Sequence, residues 1–181
     1  MPRQQHREAH PFVEYLETLV KRGDRGALAA LRRGLGKLPG TAPEVFPYVV
    51  PWVPGNASRS REASYYFVAS LFALWHQGRA GPQTAGGNLG WSFARLASQA
   101  GAAPQAVERR FVSLLRSRLE DLPEHLRHGV SLLRSHDVPV EWSQLLTDLW
   151  WWEDTEGGVQ RRWAREFWQR EPEEEEAEHV R

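Results

Sequence analysis

Apolar residues recur at intervals of three and four along most of the chain, which is the pattern of amphipathic helices. No alternating strand pattern of useful length and no internal repeat occurs. The sequence therefore predicts an all-α fold of about eight helices, of which the third is apolar almost all round and should be the buried centre of the N-terminal half. The predicted helices cover residues 11–22, 24–36, 60–75, 89–97, 104–119, 123–133, 141–153 and 159–167.

Three features interrupt this pattern. Residues 37–58 carry prolines at 39, 43, 47, 51 and 54 with aromatic residues between them, which predicts an irregular segment that packs across the core. Residues 77–87 are rich in glycine and predict a loop. A further break near 100–104 predicts two small bundles, an N-terminal one over 1–101 and a C-terminal one over 102–170.

Trp150, Trp151 and Trp152 stand in one run. Successive helix positions point about 100° apart, so the three rings cannot all face one core. At least one ring should face another element, a partner or a base. The sequence leaves cover by the other bundle and contact with a partner equally open.

Composition narrows the class of protein. The chain has no cysteine, which excludes disulfides and thiolate zinc sites and fits a cytoplasmic protein. The longest apolar stretch, around 65–75, is too short to span a bilayer, and the first ten residues show no export signal. We therefore expect no membrane contact.

The charge is unevenly distributed, although the whole chain is neutral. Six glutamates against one arginine give residues 171–181 a net charge of −5, so the other residues carry +5. A block of like charge predicts a disordered acidic tail. Such a tail could shield a basic surface or improve solubility, and the sequence favours solubility.

Arginine dominates the basic residues, since only Lys21 and Lys37 among the 23 are lysines. Arginine binds phosphate with a planar, two-pronged donor, although a GC-rich genome would also favour it. Arginines recur four or seven residues apart opposite the apolar stripes, which predicts basic strips on several helices. The candidate nucleic-acid-binding residues are Arg25, Arg32, Arg33, Lys37, Arg109, Arg110, Arg116, Arg127, Arg134, Arg161, Arg162 and Arg165.

These strips also have an ordinary interpretation. Exposed helix faces are normally charged, and Arg162 with Glu166 has the spacing of a surface ion pair. Several strips, however, lack acidic residues four positions away. A basic groove built from several helices would bind phosphate backbone without reading sequence. The residues alone leave nucleic-acid binding and solvated helix faces equally open.

The sequence shows no catalytic, metal or cofactor motif. His125 and His128 are three apart but lack an evident third ligand. The glycines at 86, 87 and 90 are not followed by the lysine of a phosphate-binding loop, and no serine elbow occurs. The acidic residues are expected to be scattered singly on helix surfaces.

The sequence resembles the CasB-type small subunit of the type I-E CRISPR Cascade complex, an antiviral defence assembly. The order and spacing of several short segments over about residues 11–170 carry this resemblance. These segments are 23–28, 31–33, 46–49, 51–52, 68–74, 88–90, 107–111, 114–115, 126–127, 145–149 and 159–165.

The resemblance implies an all-helical, non-catalytic subunit with no cofactor and no small-molecule substrate. Its implied partners are the other Cascade subunits, the guide RNA, the target and non-target DNA strands, and a second copy of itself. The implied role is to hold nucleic-acid backbone and stabilise the displaced strand of the R-loop, with the candidate arginines as the positive surface. Two alternatives remain: an interaction scaffold without nucleic-acid contact, and a helical hydrolase with an unrecognised metal centre.

Overall fold

The computed structural model describes residues 2–79, 85–99, 101–154 and 158–169, with the backbone alone for those before Pro11. Within these residues the fold is all-α, as predicted, with nine α-helices and no strand. The acidic tail predicted at 171–181 lies outside them. The helices are α1 Pro2–Lys21, α2 Arg25–Arg32, α3 Phe46–Val49, α4 Arg59–Trp75, α5 Leu89–Ser98, α6 Pro104–Arg116, α7 Leu122–Ser135, α8 Trp142–Trp150 and α9 Gly158–Trp168.

Side-chain caps set where several helices begin. Asp24 accepts a hydrogen bond from the backbone N–H of Ala27 at 2.9 Å and so begins α2, as the sequence predicted. Ser58 accepts from the N–H of Arg61 at 3.2 Å and begins α4 in the same way. Short polar side chains thus supply partners for N–H groups that the first turn leaves without any.

Some predicted helix limits are wrong. The first helix begins at Pro2 and continues through Pro11, where the sequence predicted its start. A proline inside a helix removes one backbone hydrogen bond, and the rest of the helix tolerates that loss. The helix predicted to reach 119 ends at Arg116, and the one predicted to reach 153 ends at Trp150.

The proline-rich segment contains more helix than predicted. Within 37–58, two 3-10 turns at Pro43–Val45 and Val50–Trp52 flank the single α-turn of α3. Each of these three elements has a proline at its first or second position, where the missing N–H has no helical partner in any case. The prolines therefore limit the length of these helices but do not forbid them.

The third predicted helix, α4, is the buried centre, as predicted. It packs against α2, α7 and α8, while α8 also packs against α1, and α5 packs against α6 and α9. Buried side chains from both sides of residues 100–104 form one apolar cluster. The division into two bundles stays a prediction. With that division, the two bundles meet across a broad apolar interface.

The turn before α8 is held by polar contacts from two other helices. The indole N–H of Trp75 on α4 donates to the carbonyl of Val138 at 3.1 Å. The hydroxyl of Ser92 on α5 donates to the carbonyl of Pro139 at 2.8 Å. These bonds satisfy buried carbonyls that belong to no helix, and so fix the turn against the core.

The sequence predicted that its longest apolar stretch is too short to span a bilayer. No helix among the described residues is both long enough and apolar enough to cross a bilayer.

The helices α5 and α9 approach each other closely where they cross at Gly90. A Cβ atom at Gly90 would overlap the backbone carbonyl of Trp163. Asn88 caps α5 by accepting from the N–H of Gly90 at 2.8 Å, and its own N–H donates to the carboxylate of Glu166 at 2.9 Å. The segment Asn88-Leu89-Gly90 therefore both begins α5 and allows α9 to lie against it.

This crossing predicts that Gly90→Ala destabilises the protein by about 3 kcal/mol, since backbone must move to admit the methyl group. The matched control is Gly26→Ala in the first turn of α2, where a Cβ would meet only Asp24 at an ordinary 3.5 Å. Alanine should be neutral or favourable at that position, by up to about 1 kcal/mol. Urea unfolding of both variants measures the difference, and equal midpoints would contradict the close crossing.

Candidate nucleic-acid interface

A basic cleft of about 400 Å³ lies between α6 and α7. The two helices contribute opposite walls, and Phe93 of α5 lies at its base. The lining residues are Phe93, Ala106, Arg109, Arg110, Ser113, His125, His128 and Gly129. Two of the predicted arginines thus meet two histidines in one concave site. In the sequence, these histidines were candidates only for a metal site.

The helical repeat of α6 explains why these arginines face the cleft. Val107, Phe111 and Leu114 are buried and attach α6 to the core. Arg109 and Arg110 fall between these positions along the chain, so they lie on another side of the helix and are exposed. The burial of one stripe therefore determines the direction of the other.

A glycine brings the second wall close. A Cβ atom at Gly129 would lie 3.0 Å from the ring of Phe93, tighter than ordinary contact. The absence of a side chain lets α7 approach α5, and this places the adjacent His128, and His125 one turn earlier, across from α6. No sequence rule about α7 alone would have identified this contact.

The charge of the cleft is of one sign. None of the described residues that line it is acidic. Two guanidinium groups and two imidazoles offer hydrogen-bond donors to an oxyanion, while the Ser113 hydroxyl donates to the carbonyl of Arg109 at 2.9 Å. Phosphate and carboxylate oxygens both fit the paired donors of arginine in this set.

His125 and His128 do not belong to a group of metal ligands within the described part of the chain. Across residues 11–79, 85–99, 101–154 and 158–169, no three histidine or carboxylate side chains lie together in a way that could hold a metal ion.

A second basic group lies where the end of α2 meets α7. The guanidinium of Arg127 lies near Gly36, 3.5 Å from where a Cβ would stand. Lys37 pairs with Glu44 at 3.3 Å. The pKa of Glu44 is lowered, first by a backbone hydrogen bond and next by the nearby Lys37 and Arg33. Glu44 thus offsets part of the positive charge at this corner.

Arg134, also a candidate, makes structural contacts. Its guanidinium donates to the carbonyl of Gln77 at 2.8 Å, past the end of α4. Its own carbonyl accepts from Arg79 at 2.6 Å, and Arg79 also pairs with Asp137. These bonds join the ends of α4 and α7, although the sequence pattern had grouped Arg134 with Arg127.

Arg162 likewise has a structural partner. It donates to Asp148 at 3.1 Å, whereas the sequence suggested a surface pair with Glu166. Asp148 is fully buried and also accepts from the indole of Trp163 at 2.6 Å and from Gln144 at 2.9 Å. Burial raises the pKa of Asp148, and the three donors oppose that rise.

The expectation that acidic residues are scattered on helix surfaces is therefore wrong for Asp148. A buried carboxylate is tolerated only where donors replace its hydration. Its donors come from Gln144 in its own helix and from two residues of α9.

The other candidates are distributed over the surface. Arg116, Arg161 and Arg165 are exposed on α6 and α9. On α2, Arg25 is exposed at the start and Arg32 is half-buried in the last turn. The candidates therefore form a cleft, a corner and separate exposed groups, and their contact with nucleic acid stays a prediction.

The tryptophan run is divided between core and surface. Trp150 stacks on Tyr65 at 5.9 Å between ring centroids, and the guanidinium of Arg61 lies 4.0 Å from its ring. Trp152 is buried and donates to the carbonyl of Ser117 at 3.2 Å. The ring of Trp151 stays 43% exposed, so most of the run is covered by this chain itself.

Comparisons with known proteins agree with the resemblance seen in the sequence. The family model of CRISPR-associated protein Cse2 matches residues 27–168. A relative, the CRISPR-associated protein Cse2 of Thermus thermophilus, is 31% identical over 159 residues, which make up 87% of this chain and 88% of the relative.

Solved structures give the same result. The crystal structure of CasB from Thermus thermophilus superposes with a TM-score of 0.74 at 31% identity, over 88% of this chain and 96% of that one. A chain of a CRISPR RNA-guided surveillance complex superposes with a TM-score of 0.77 at 28% identity, over 90% of this chain and 92% of that one.

The contacts of Arg162 predict that its removal affects folding. Arg162→Gln should lower the free energy of unfolding by about 1 kcal/mol, since the pair is half-exposed on the arginine side and buried on the Asp148 side. Arg161→Gln, one residue earlier and exposed, is the matched control and should leave stability unchanged. Thermal unfolding measures both, and equal midpoints would place Arg162 among the solvated arginines.

Proposed function

Since this chain belongs to the Cse2 family of CRISPR-associated proteins, we propose that it is a subunit of a CRISPR RNA-guided surveillance complex and holds nucleic-acid backbone there. The α6/α7 cleft carries this proposal. Arg109 and Arg110 stand exposed in it without an acidic neighbour among the lining residues. Both also fall in a segment on which the family resemblance rests.

The chemistry of the cleft suits backbone rather than bases. Arginines neutralise phosphates and release condensed counterions, which gives affinity without sequence preference. In an RNA-guided complex, pairing with the guide supplies the sequence specificity. Exchange of a DNA duplex for an RNA–DNA duplex is nearly balanced in free energy, so a few backbone contacts suffice to favour the opened state.

The finer parts of the proposal follow from the family resemblance. The subunit acts in the cytoplasm without catalysis of its own, beside the other Cascade subunits and the guide RNA. It contacts target and displaced DNA strands and meets a second copy of itself in the complex. The exposed arginines of α2 and α9 extend the positive surface beyond the cleft, whereas Arg134 and Arg162 act mainly within the fold.

A scaffold role is the second candidate, and an apolar groove favours it. The groove, of about 290 Å³, lies between α4, the Leu38-Pro39 turn and the start of α7. Leu38 at its edge is 77% exposed, and Phe67 lies within it. Exposed apolar surface of this kind marks protein contacts. Under this candidate the arginines are solvated and nucleic acid binds elsewhere in the complex.

The backbone-binding proposal predicts a salt-dependent affinity that requires the cleft. Labelled single-stranded DNA, RNA and duplex are titrated with the full chain over a range of salt concentrations. Affinity should fall steeply with salt, by a slope of roughly −0.7 per phosphate contacted on single strands. Arg109→Glu with Arg110→Glu should weaken binding at least about tenfold and flatten that slope by roughly 1.4 for two lost contacts.

The matched control reverses two exposed arginines outside the cleft and outside the candidate set, Arg59→Glu with Arg118→Glu. Its net charge equals that of the cleft variant, so any difference reports position rather than total charge. Equal weakening by both variants, or wild-type affinity in the cleft variant, would reject the cleft as the site.

A further inference from the structure

We infer that the acidic segment 171–181 of this chain docks on the α6/α7 cleft and competes there with nucleic-acid backbone. This inference rests on the proposed function, because it assigns an intramolecular competitor to the same site. It also differs from the sequence expectation, which favoured solubility as the role of this segment. The structure favours docking over a role in solubility alone, because α9 ends beside α6, the helix that carries both arginines of the cleft.

The end of α9 lies against α6. Phe167 stacks on Phe111 with ring centroids 4.4 Å apart, and Trp168 contacts the same ring at 5.8 Å. Phe111 directly follows Arg110, which lines the cleft. The chain therefore leaves α9 beside the helix that carries both cleft arginines.

The acidic segment is long enough to reach the cleft from this point. The N–H of Gln169 still donates to the carbonyl of Arg165 at 2.8 Å, so the helical hydrogen bonds of α9 extend to that residue. Twelve residues beyond it span up to roughly 40 Å when extended. A helix with its side chains is about 10–12 Å across, so the segment can cross α6 with slack.

Charge complementarity selects this occupant. The segment carries six glutamates, and the described residues of the cleft lining include no carboxylate. Glutamate carboxylates accept the same paired N–H donors from arginine that phosphate oxygens accept. A run of glutamates thus presents the groups for which we propose the cleft binds nucleic acid.

The cleft combines available positive charge with a concave shape, whereas several other candidate cations are already paired. Lys37 is already paired with Glu44, and the guanidinium groups of Arg134 and Arg162 have partners inside the fold. Within the described part of the chain, Arg109 and Arg110 form no ion pair. Their positive charge is therefore available to a segment that arrives beside them.

Tethering makes weak pairing effective. Individual solvent-exposed carboxylate–guanidinium pairs contribute little and are screened by salt. A short tether, however, holds the segment at a millimolar effective concentration, so even millimolar intrinsic affinity occupies the cleft for much of the time. Occupancy of this order weakens binding of nucleic acid by about twofold at low salt, and less as salt rises.

Docking is measured directly, without nucleic acid, by a spin label on the acidic segment. The chain has no cysteine, so Val180→Cys gives a single attachment site and keeps all six glutamates. We expect the label to broaden the amide NMR signals of residues 106–113 and 125–129. The broadening should disappear at high salt and in the Arg109→Gln, Arg110→Gln background.

Competition is measured by neutralising three glutamates of the segment, Glu173→Gln, Glu174→Gln and Glu175→Gln. Affinity for labelled single-stranded DNA should rise about twofold at low salt. The control makes the same charge change on exposed acids outside the cleft, Glu62→Gln, Glu153→Gln and Asp154→Asn. It should give a smaller rise, and the two cleft substitutions should abolish the gain from the segment variant.

The two readouts separate this inference from the proposed function. Broadening of the cleft signals in a chain that binds no nucleic acid, even after the three glutamates are neutralised, would overturn the proposed function and support docking. Binding that depends on Arg109 and Arg110 without any broadening would overturn docking and leave the function standing. If both neutralised variants gain affinity for nucleic acid equally, the gain comes from reduced charge repulsion in general, and this result would overturn the inference.

Discussion

The position of α9 depends on one buried polar contact, the indole N–H of Trp163 on the carboxylate of Asp148 at 2.6 Å. Both side chains are fully buried, and Asp148 without its donors would leave an unsolvated charge in the core. Trp163 also presents its backbone carbonyl to Gly90, where any side chain would collide with that carbonyl. Trp163 thereby joins α9 to α8 on one side and to α5 on the other.

The functional surface follows from this arrangement. With α9 fixed, Phe167 lies on Phe111, and the buried stripe of α6 turns Arg109 and Arg110 into the cleft. A helix held by its apolar stripe has no freedom to rotate its polar side away. The core contacts that stabilise the protein therefore also set the direction of its basic surface and the point at which the acidic segment begins.

Local sequence rules predicted the helices and the all-α fold, because apolar periodicity and capping act within a few residues of each position. The arginines of α6 were predictable for the same reason. Asp148 was not, because donors from Arg162 and Trp163, 14 and 15 residues away, make its burial possible. His125 and His128 joined the cleft only through the contact of Gly129 with Phe93, which no single helix reveals.

Photo-crosslinking from inside the cleft tests the central claim most directly. A benzophenone amino acid replaces Ser113, an exposed cleft residue, in a reconstituted RNA-guided complex with target DNA. The same probe at Leu38, on the apolar groove, serves as the comparison. We predict that the Ser113 probe crosslinks to nucleic acid at positions of unrelated sequence and the Leu38 probe to protein. Crosslinks from Ser113 to protein alone would contradict a cleft that holds nucleic-acid backbone.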